Sequence, residues 1–413
     1  MPRTQSNKDE LMSRNFRQNL ALAMVLALGA AVSLGVTRFS YGLLLPSMRA
    51  DLGWSYTMAG AMNTINALGY LIGALSLPML LKRFNAVRIL LMGSAMASLF
   101  MALTGFFTSA EPLLLQRLLA GIASAWVFVS GGLLAAQIGS QQSEKSGLIL
   151  GVYYGGVGLG IVFSTWAVPS VDYFKHGQAH AWVWAWWVLA LSCALSTFIL
   201  MLKSAALMRF ALPASSSQTS QSTKQQQTFS WNAFAFALAG YSLFGVGYIG
   251  YMTFVIALLR EQAATTPTIT IFYTLLGLAV MASSRIWAGL LDKYKGGQAL
   301  AILNFLLGCA IVIPALTDWL PALVFSGVLF GAVFLSIVAS TTALVRHNLP
   351  QSAWAKGISA FTVVFAAGQI VGPTMVGWIA DGDGGLARGL LISAFALWLG
   401  AFLAWQQKPI SLS

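Results

Sequence analysis

The chain has 413 residues, of which 58% are hydrophobic and only 8% are charged, and its formal net charge is +12. A chain of this size and composition cannot cover its surface with polar side chains, which excludes a soluble globular protein. Its two cysteines, Cys193 and Cys309, lie far apart in the sequence and favour neither a disulfide nor a metal-binding pair.

Twelve apolar stretches are long enough to cross a bilayer, because about 20 apolar residues span about 30 Å of hydrocarbon. We number them as spans 1 to 12 and predict them at residues 20–46, 55–80, 89–108, 112–138, 147–170, 181–203, 231–258, 267–290, 298–316, 320–345, 357–380 and 386–406. The first is too long for a cleavable signal peptide. The predicted fold is therefore an all-α membrane protein with twelve transmembrane helices in the lipid bilayer.

The basic residues indicate how the spans are oriented. With the N-terminus inside, sixteen Lys and Arg fall in cytoplasmic segments and four fall in outer loops, namely Arg49, Lys175, Arg260 and Arg388. This bias follows the positive-inside rule and predicts that both termini are cytoplasmic. Because the basic residues are scattered over short loops, the net charge does not indicate nucleic-acid binding.

A polar segment after span 6, "ASSSQTSQSTKQQQTFS", has the composition of a flexible linker. It divides the chain into predicted parts at residues 1–19 (cytoplasmic tail), 20–203 (six-helix bundle), 204–229 (cytoplasmic linker), 230–406 (six-helix bundle) and 407–413 (tail). The halves align at a shift of 210, which pairs "GVTRFSY" (35–41) with "GVGYIGY" (245–251) and Arg38 with Tyr248. Six spans per half predict a parallel repeat, with a substrate site between the halves near the midplane.

Several motifs resemble those of the major facilitator superfamily. "RIWAGLLDKYKG" (285–296) is similar to its G-x-x-x-D-[KR] loop motif, and "RLLAGIASA" in span 4 is similar to its R-x-x-x-G-x-x-x-A pattern. The stretch that begins "RFSYGLLLP" and ends "GYLIGA" in span 2 resembles the YbfB/YjiJ group of bacterial transporters. The resemblance implies the major facilitator fold, a location in the bacterial inner membrane and a small-molecule substrate.

Three arginines, Arg38, Arg117 and Arg285, lie inside predicted spans, whereas all eleven acidic residues fall in loops or at span ends. A charge near the centre of a bilayer costs about 2.5–3.5 kcal/mol on insertion scales and is functional by default. We predict that Arg38 faces the substrate; the alternative is that it snorkels outward or binds carbonyls of packed helices. It lies roughly 12 Å below the predicted outer end of its helix at Pro46.

Polar side chains of span 2 are predicted at the depth of Arg38. Asn63, Asn66 and Tyr70 follow i, i+3, i+7 spacing and share one helix face, and Tyr41 shares a face with Arg38. Together they would form a wall of one cation, two amides and two phenols without a carboxylate to neutralise the cation. We assign all five residues to the predicted substrate site.

The second half adds Tyr241, Tyr248 and Tyr251 in span 7, and Gln369 near the midpoint of span 11. We assign these four residues to the substrate site as well. Each has a second interpretation, because tyrosines at this spacing are often packed aromatics and a lone Gln can bond a neighbouring helix.

The other two membrane arginines also have two interpretations each. Arg117, assigned to the substrate site, could instead form an outer ion pair with Glu111 or Asp51. Arg285 resembles the span-8 arginine of monocarboxylate porters and oxalate–formate exchangers, but a position near the cytoplasmic end favours a gate. The predicted gate residues are Arg285, Gly289, Asp292 and Lys293.

No pattern indicates an enzyme, a cofactor or a metal site. His176 and His180 have i, i+4 spacing but lack a third ligand. "GGVGLG" in span 5 lacks the strand that precedes a nucleotide-binding fingerprint, and its glycines instead predict close helix packing.

These residues favour a secondary active or facilitative transporter of a small anionic organic solute, bound by Arg38 through a bidentate contact. A co-transported proton or an exchanged anion would be its partner, and we expect a monomer. The alternative is a proton-coupled exporter of amphipathic or cationic compounds, which usually needs a carboxylate inside the membrane.

Overall fold

A computed structural model describes residues 3–140, 146–175, 177–211, 229–350 and 353–410, without the side chains of residues 3–15, 146 and 355. Within these residues the chain forms helices joined by short connections, and no strand is present. Twelve helical stretches are long and apolar enough to cross a membrane, which confirms the twelve predicted spans. Most of the predicted linker, residues 212–228, and His176 lie outside the described residues.

The helices alternate in direction, so that span 1 begins and span 12 ends on the same side, which we call the terminal end; the opposite side is the distal end. The helices of the first half are Arg3–Ala30 and Tyr41–Leu52 (span 1), Tyr56–Leu81 (span 2), Ala86–Thr104 (span 3), Ala110–Ser140 (span 4), Ser146–Phe174 (span 5) and Trp182–Leu202 (span 6). Those of the second half are Ala235–Glu261 (span 7), Thr266–Ile286 (span 8), Gln298–Leu316 (span 9), Leu320–Asn348 (span 10), Trp354–Ala380 (span 11) and Gly385–Trp405 (span 12). Shorter helices follow spans 6 and 8, at Ser204–Leu207, Met208–Phe210 and Ala288–Lys293.

Span 1 is longer at its distal end than the sequence predicts. Its helix continues through Pro46 and ends at Leu52, where Gly53 adopts the left-handed conformation (φ +64°) that commonly terminates a helix. Arg38 therefore lies about 20 Å from the distal end of its helix rather than roughly 12 Å.

Side-chain caps fix the start of several spans. The Ser55 hydroxyl accepts the N–H of Met58 at 3.1 Å at the start of span 2, and the Asn85 amide oxygen accepts the N–H of Arg88 at 2.9 Å at the start of span 3. Such caps satisfy backbone N–H groups that have no partner within the first turn of a helix.

Glycines in span 5 allow two neighbouring helices to approach closely. A Cβ atom at Gly156 or Gly160 would collide with carbonyl oxygens of span 1. On another side of the helix, a Cβ atom at Gly158 would collide with the carbonyl oxygen of Gly277 in span 8. This packing agrees with the prediction from the glycine spacing in span 5, because small residues let transmembrane backbones come together.

Spans 1 and 7 occupy the centre of the molecule. Every residue from 29 to 45 in span 1 and from 247 to 259 in span 7 is buried, so these segments are surrounded by protein on all sides. The halves meet where spans 1, 2 and 5 pack against spans 7, 11 and 8, respectively. Between spans 2 and 11, the Thr64 hydroxyl donates to the carbonyl oxygen of Ile370 at 2.9 Å. Any site between the halves is therefore built around the middle of spans 1 and 7.

Candidate functional site

Span 1 is broken in the middle of the membrane, next to Arg38. The α-helix gives way to a π-helical segment over Ala31–Val36 and resumes at Tyr41. In the break, the N–H groups of Thr37 and Phe39 bond to carbonyl oxygens five residues earlier, at 3.1 and 3.0 Å. π-helical turns are rare and frequently occur at functional sites.

Two carbonyl oxygens of this break are bound by side chains from opposite halves of the protein. Arg117 Nη1 of span 4 donates to the Thr37 carbonyl at 2.9 Å. The Tyr273 hydroxyl of span 8 donates to the Phe39 carbonyl at 3.1 Å. The break that carries Arg38 is thus held by both halves, and these bonds satisfy backbone groups that water cannot reach.

Arg117 is held entirely by the protein. Besides Thr37, it donates from Nη2 to Asn63 Oδ1 at 2.7 Å and from Nε to the Met62 carbonyl at 3.5 Å. Its guanidinium carbon also lies 4.9 Å from the centre of the Tyr41 ring. All three kinds of guanidinium nitrogen therefore have an acceptor in this conformation.

The neighbours of Arg117 are fixed by the same network. Asn63 Nδ2 donates to Thr253 Oγ1 of span 7 at 2.8 Å, and Asn66 Nδ2 donates to the Arg117 carbonyl at 2.9 Å. The predicted alternative of an ion pair with Glu111 or Asp51 is not formed among the described residues. Arg117 instead connects spans 1, 2 and 4, and through Asn63 it reaches span 7.

Arg38 differs from Arg117 because two of its guanidinium nitrogens have no hydrogen-bond acceptor. Its side chain is 2% exposed, yet Nε and Nη2 are buried without a hydrogen-bond acceptor. Among the described residues, the one ion pair lies elsewhere, so no carboxylate comes within 4.0 Å of Arg38. The Tyr70 ring centre is 5.8 Å from the guanidinium carbon. Arg38 is therefore a buried cation with two free donors.

Tyrosines from both halves surround Arg38. The hydroxyl groups of Tyr70 in span 2 and Tyr248 in span 7 lie within electrostatic range of its charge. The hydroxyl groups of Tyr70, Tyr248 and Tyr154 of span 5 also lie within electrostatic range of Tyr241, which is two turns earlier in span 7 than Tyr248. Four of the predicted substrate residues, Arg38, Tyr70, Tyr241 and Tyr248, are therefore brought together, and Tyr154 joins them.

Five aromatic rings of the second half form a continuous surface, which we call the ring plate. Its members are Tyr241, Phe244 and Tyr248 of span 7, Phe334 of span 10 and Phe365 of span 11. Six pairs of these rings lie 4.8–5.6 Å apart between centres, with planes that differ by 10–25°. Phe244 and Phe334 lie 6.3 Å apart with planes inclined at 40°. Such offset stacking is favourable between aromatic rings. The ring plate forms one side of the region around Arg38.

Gln369 is a second buried polar group without partners. It is 1% exposed, and neither its amide oxygen nor its amide nitrogen has a hydrogen-bond partner. Gln369 follows Phe365 by four residues in span 11, so both side chains lie on one helix face. Burying an amide without partners is costly, so the donor and the acceptor of Gln369 are available to a molecule that enters the site.

The remaining predicted substrate residues have partners within the protein. The Tyr41 hydroxyl donates to the Ala59 carbonyl at 2.9 Å, and the Tyr251 hydroxyl lies 2.8 Å from Ser326 Oγ. With Asn63, Asn66 and Arg117, they belong to the hydrogen-bonded framework of the site in this conformation. Free donors and acceptors are found instead at Arg38 and Gln369.

Comparison with known proteins identifies the family. Residues 30–405 match the model of a family described as "Uncharacterised MFS-type transporter YbfB". The chain belongs to this family of major facilitator superfamily transporters. The match covers most of the chain and confirms the resemblance predicted from spans 1 and 2. No curated protein matched the sequence.

Solved structures show the same fold in other transporters of this superfamily. The nucleoside transporter NupG has a TM-score of 0.68 and 14% identity, over 95% of this chain and 99% of that chain. A bacterial homologue of the human lysosomal transporter Spinster, in an inward-facing and unoccupied conformation, has a TM-score of 0.65 and 14% identity. That match covers 94% of this chain and 95% of that chain. At this identity the likeness concerns the fold, which is the major facilitator fold.

In this transporter the two halves are joined at the distal end by carboxylates of the second half. Asp381, after span 11, accepts bonds from the N–H groups of Tyr56 and Thr57, at 2.7 and 2.8 Å, and from the Thr57 hydroxyl at 2.6 Å. Glu261 accepts a bond from the Tyr56 hydroxyl, and the Arg49 guanidinium carbon lies 3.7 Å from the centre of the Tyr56 ring. These contacts, which we call the distal latch, hold the start of span 2 against the second half.

The four predicted gate residues lie at the terminal end, and no side-chain hydrogen bond or ion pair joins them in the described part of the chain. Arg285 is exposed in the last turn of the span 8 helix, and the apolar stretch that could cross a membrane continues beyond it to Lys293. Asp292 and Lys293 are exposed, and a Cβ atom at Gly289 would meet open space. The one ion pair of the described residues is at the distal end, so Arg285 and Asp292 are not paired in this conformation.

His180 belongs to a separate cleft at the distal end. Its Nδ1 lies 2.5 Å from Asp51 Oδ2, and Trp182 Nε1 donates to the same oxygen at 2.5 Å. The cleft measures about 840 Å³ and is also lined by Asp172 and Arg260. The described residues contain no group of three His, Cys, Asp or Glu that could hold a metal.

Sequence reasoning missed several residues of the site, namely Tyr154, Phe244, Thr253, Tyr273, Phe334 and Phe365. One signal was available: Phe244 continues the stripe of Tyr241 and Tyr248 at i, i+3, i+7 spacing. Thr253 also lies in span 7, and the remaining missed residues lie in spans 5, 8, 10 and 11. Whether these side chains come together depends on how the helices pack.

Proposed function

We propose that this transporter moves a small organic anion across the membrane and that Arg38 binds the anion. The buried Nε and Nη2 donors of Arg38, which have no acceptor, are the observation that carries the proposal. Two adjacent guanidinium donors match the two oxygens of a carboxylate in a bidentate contact. An anion would supply both the missing acceptors and the missing counter-charge.

The contrast with Arg117 supports this assignment. Both arginines are buried near the break in span 1, but Arg117 has acceptors for its guanidinium nitrogens. Arg117 therefore serves the framework, and Arg38 remains for the ligand. A cationic ligand would be repelled by Arg38, which disfavours an exporter of cationic compounds.

We further propose that the protein works by alternating access, as a rocking of the two halves around this site. The distal latch, the bond from Asn63 to Thr253 and the bond from Tyr273 to Phe39 all join the halves. We propose that the distal latch closes the site toward the distal end in this conformation. The positive-inside bias supports a cytoplasmic terminal end, so this conformation would be closed to the outside.

A binding experiment on the purified chain tests the proposal. We expect small carboxylates to raise its melting temperature, because a ligand that binds the folded state stabilises it by mass action. Matched primary amines and alcohols should have no such effect. Arg38→Lys keeps the charge but loses the planar fork, so it should weaken carboxylate binding by about tenfold. Arg83→Lys, which changes an exposed arginine at the terminal end, is the matched control.

Two outcomes would contradict the proposal. One is a clear preference for amines or neutral compounds over carboxylates. The other is carboxylate binding that is equally strong in the wild type and in Arg38→Lys.

The distal latch leads to a prediction about pH and conformation. Burial opposes ionisation of Asp381, but the bonds from Thr57 and Tyr56 outweigh it and hold the pKa of this carboxyl below its usual range. A lowered pKa means that the ionised carboxylate stabilises the closed distal end at higher pH. This contribution should be lost as the pH falls below about 4, through the lowered pKa. The substitution Asp381→Asn should remove this stabilisation of the closed distal end at every pH.

Spin labels at Ser109 and Asp318, on exposed distal loops of the two halves, would measure this change. We expect a larger population of long label distances in Asp381→Asn at neutral pH, and a smaller further change on acidification than in the wild type. Asp383→Asn is the matched control, because the structure shows Arg388 bonded to the backbone carbonyl of Asp383. Identical distance distributions in Asp381→Asn and the wild type would reject this role of Asp381.

A further inference from the structure

We infer that the anion is an aromatic monocarboxylate, whose carboxylate binds Arg38 and whose ring packs between aromatic side chains of the two halves. This inference rests on the proposed function and adds the chemical class of the ligand. It depends on the number of free cations, the position of the aromatic rings and the unpaired amide of Gln369.

The cations of the site can bind one carboxylate. Arg38 offers two free donors, which is the set that one carboxylate needs. Arg117 is engaged by Thr37, Asn63 and Met62, so a second carboxylate would be buried without a partner there. Burying an unpaired charge is costly, which disfavours dicarboxylates.

The ring plate offers an aromatic surface on the side of the second half. Phe365 is only half-buried, whereas the four other rings are almost completely buried. The Phe365 ring is therefore the member of the plate with free surface. Tyr248 stacks with Phe244 and Phe334 of the plate, and its hydroxyl group lies within electrostatic range of the Arg38 charge, so the plate is close to the cation.

The first half offers aromatic side chains next to Arg38. Tyr70 and Tyr154 are half-buried, the Tyr70 ring centre lies 5.8 Å from the Arg38 guanidinium carbon, and the hydroxyl groups of both tyrosines lie within electrostatic range of Tyr241 of the ring plate. A planar ring between these surfaces would contact aromatic side chains on both sides. An aliphatic chain would fill the same space without the additional stacking energy.

Gln369 fits a polar substituent on that ring. Its amide oxygen and nitrogen are both buried and unpaired, one turn along span 11 from Phe365. A hydroxyl group on the ring could accept from the amide nitrogen or donate to the amide oxygen. A hydroxybenzoate therefore offers a partner to Arg38, the rings and Gln369 at once.

Calorimetric titration of the full chain with four small probes tests this inference. Benzoate should bind roughly two- to tenfold more tightly than cyclohexanecarboxylate, which has the same charge and a similar size but no aromatic ring. 4-Hydroxybenzoate should bind at least as tightly as benzoate. Benzamide, which keeps the ring but lacks the charge, should bind about thirtyfold more weakly than benzoate or worse.

A substitution in the ring plate gives a second measurement. Phe365→Leu should remove most of the preference for benzoate over cyclohexanecarboxylate while cyclohexanecarboxylate still binds. Phe395→Leu, in the strongly exposed part of span 12, should leave the preference unchanged. The wild-type comparison decides the inference even where Phe365→Leu fails to fold.

The outcomes separate this inference from the proposed function. Equal affinity of the wild type for benzoate and cyclohexanecarboxylate would overturn the aromatic class and leave an anion site at Arg38. Binding of benzamide without binding of either carboxylate would overturn both proposals. Absence of binding by all four probes at millimolar concentration would also count against both.

Discussion

Replacing Arg38 with alanine should abolish anion binding without destabilising the protein. Removing one partner of a buried, hydrogen-bonded charge pair costs about 2–5 kcal/mol, so carboxylate affinity should fall by about thirtyfold or more. Without ligand, Arg38 is a buried cation whose Nε and Nη2 have no acceptor. Its removal takes away a desolvation cost, so the melting temperature of the empty protein should stay the same or rise.

Melting temperature and carboxylate binding should be measured together on Arg38→Ala, Arg83→Ala and the wild type. Arg83→Ala tests whether losing any arginine changes either quantity, because Arg83 is exposed at the terminal end of span 2. If Arg38 served only as a structural donor, its loss would instead lower stability by about 1–3 kcal/mol per unsatisfied group. A destabilised Arg38→Ala variant that binds carboxylates normally would end the anion-site hypothesis.

Much of the architecture could be predicted because a bilayer allows few solutions. Backbone groups in hydrocarbon must bond within their own helix, so each long apolar stretch becomes a spanning helix. All twelve predicted spans are present. The largest error in a span boundary that matters for the site was at Pro46, where the helix continues to Leu52. A proline inside a transmembrane helix is tolerated when neighbouring groups compensate, and the sequence does not reveal that compensation.

The candidate site was predicted less well than the fold. Arg38, Tyr70, Tyr241 and Tyr248 were expected near the substrate, and the structure brings these four together. Their substrate role itself remains a proposal. The prediction had a physical basis, because a charge within an apolar span and aromatic residues at helical spacing can be recognised from the sequence alone.

The surroundings of Arg117 could not be predicted from the sequence. One of its acceptors is the backbone carbonyl of Thr37, which is available because span 1 is broken by a π-helical segment. Every residue has a backbone carbonyl, so the amino-acid sequence does not show which carbonyl oxygen lacks a partner within its helix. Sequence reasoning looked for carboxylates such as Asp51, but that side chain bonds to His180 and Trp182.

The two central arginines have different roles in the site. Arg117 binds the span 1 break on one side, and Arg38 projects from the same break with free donors. A bound anion would attract Arg38 and thereby shift the span 1 break that carries it. Tyr273 of the second half also binds this break. We propose that this connection transmits anion binding to the contact between the halves. This transmission of anion binding requires that Arg117 hold the span 1 break in place.

Replacing Arg117 with alanine should therefore unfold the protein more easily, in contrast to Arg38→Ala. The change leaves the Thr37 carbonyl and Asn63 Oδ1 without their donor in a region that water does not reach. At about 1–3 kcal/mol for each unsatisfied group, the free energy of unfolding should fall by about 2–6 kcal/mol. Arg117→Lys should recover only part of this loss, because one ammonium group lacks the planar fork that reaches both acceptors.

Unfolding in detergent, followed by helical circular dichroism, measures this loss against two controls. Gln116→Ala changes the neighbouring buried residue, whose amide oxygen has no partner, and should cost much less. Arg38→Ala should be neutral or stabilising. Anion binding should also weaken in any Arg117→Ala protein that remains folded, because the break that positions Arg38 has lost its support. Equal stability of Arg117→Ala and Arg38→Ala would show that Arg117 does not hold the span 1 break.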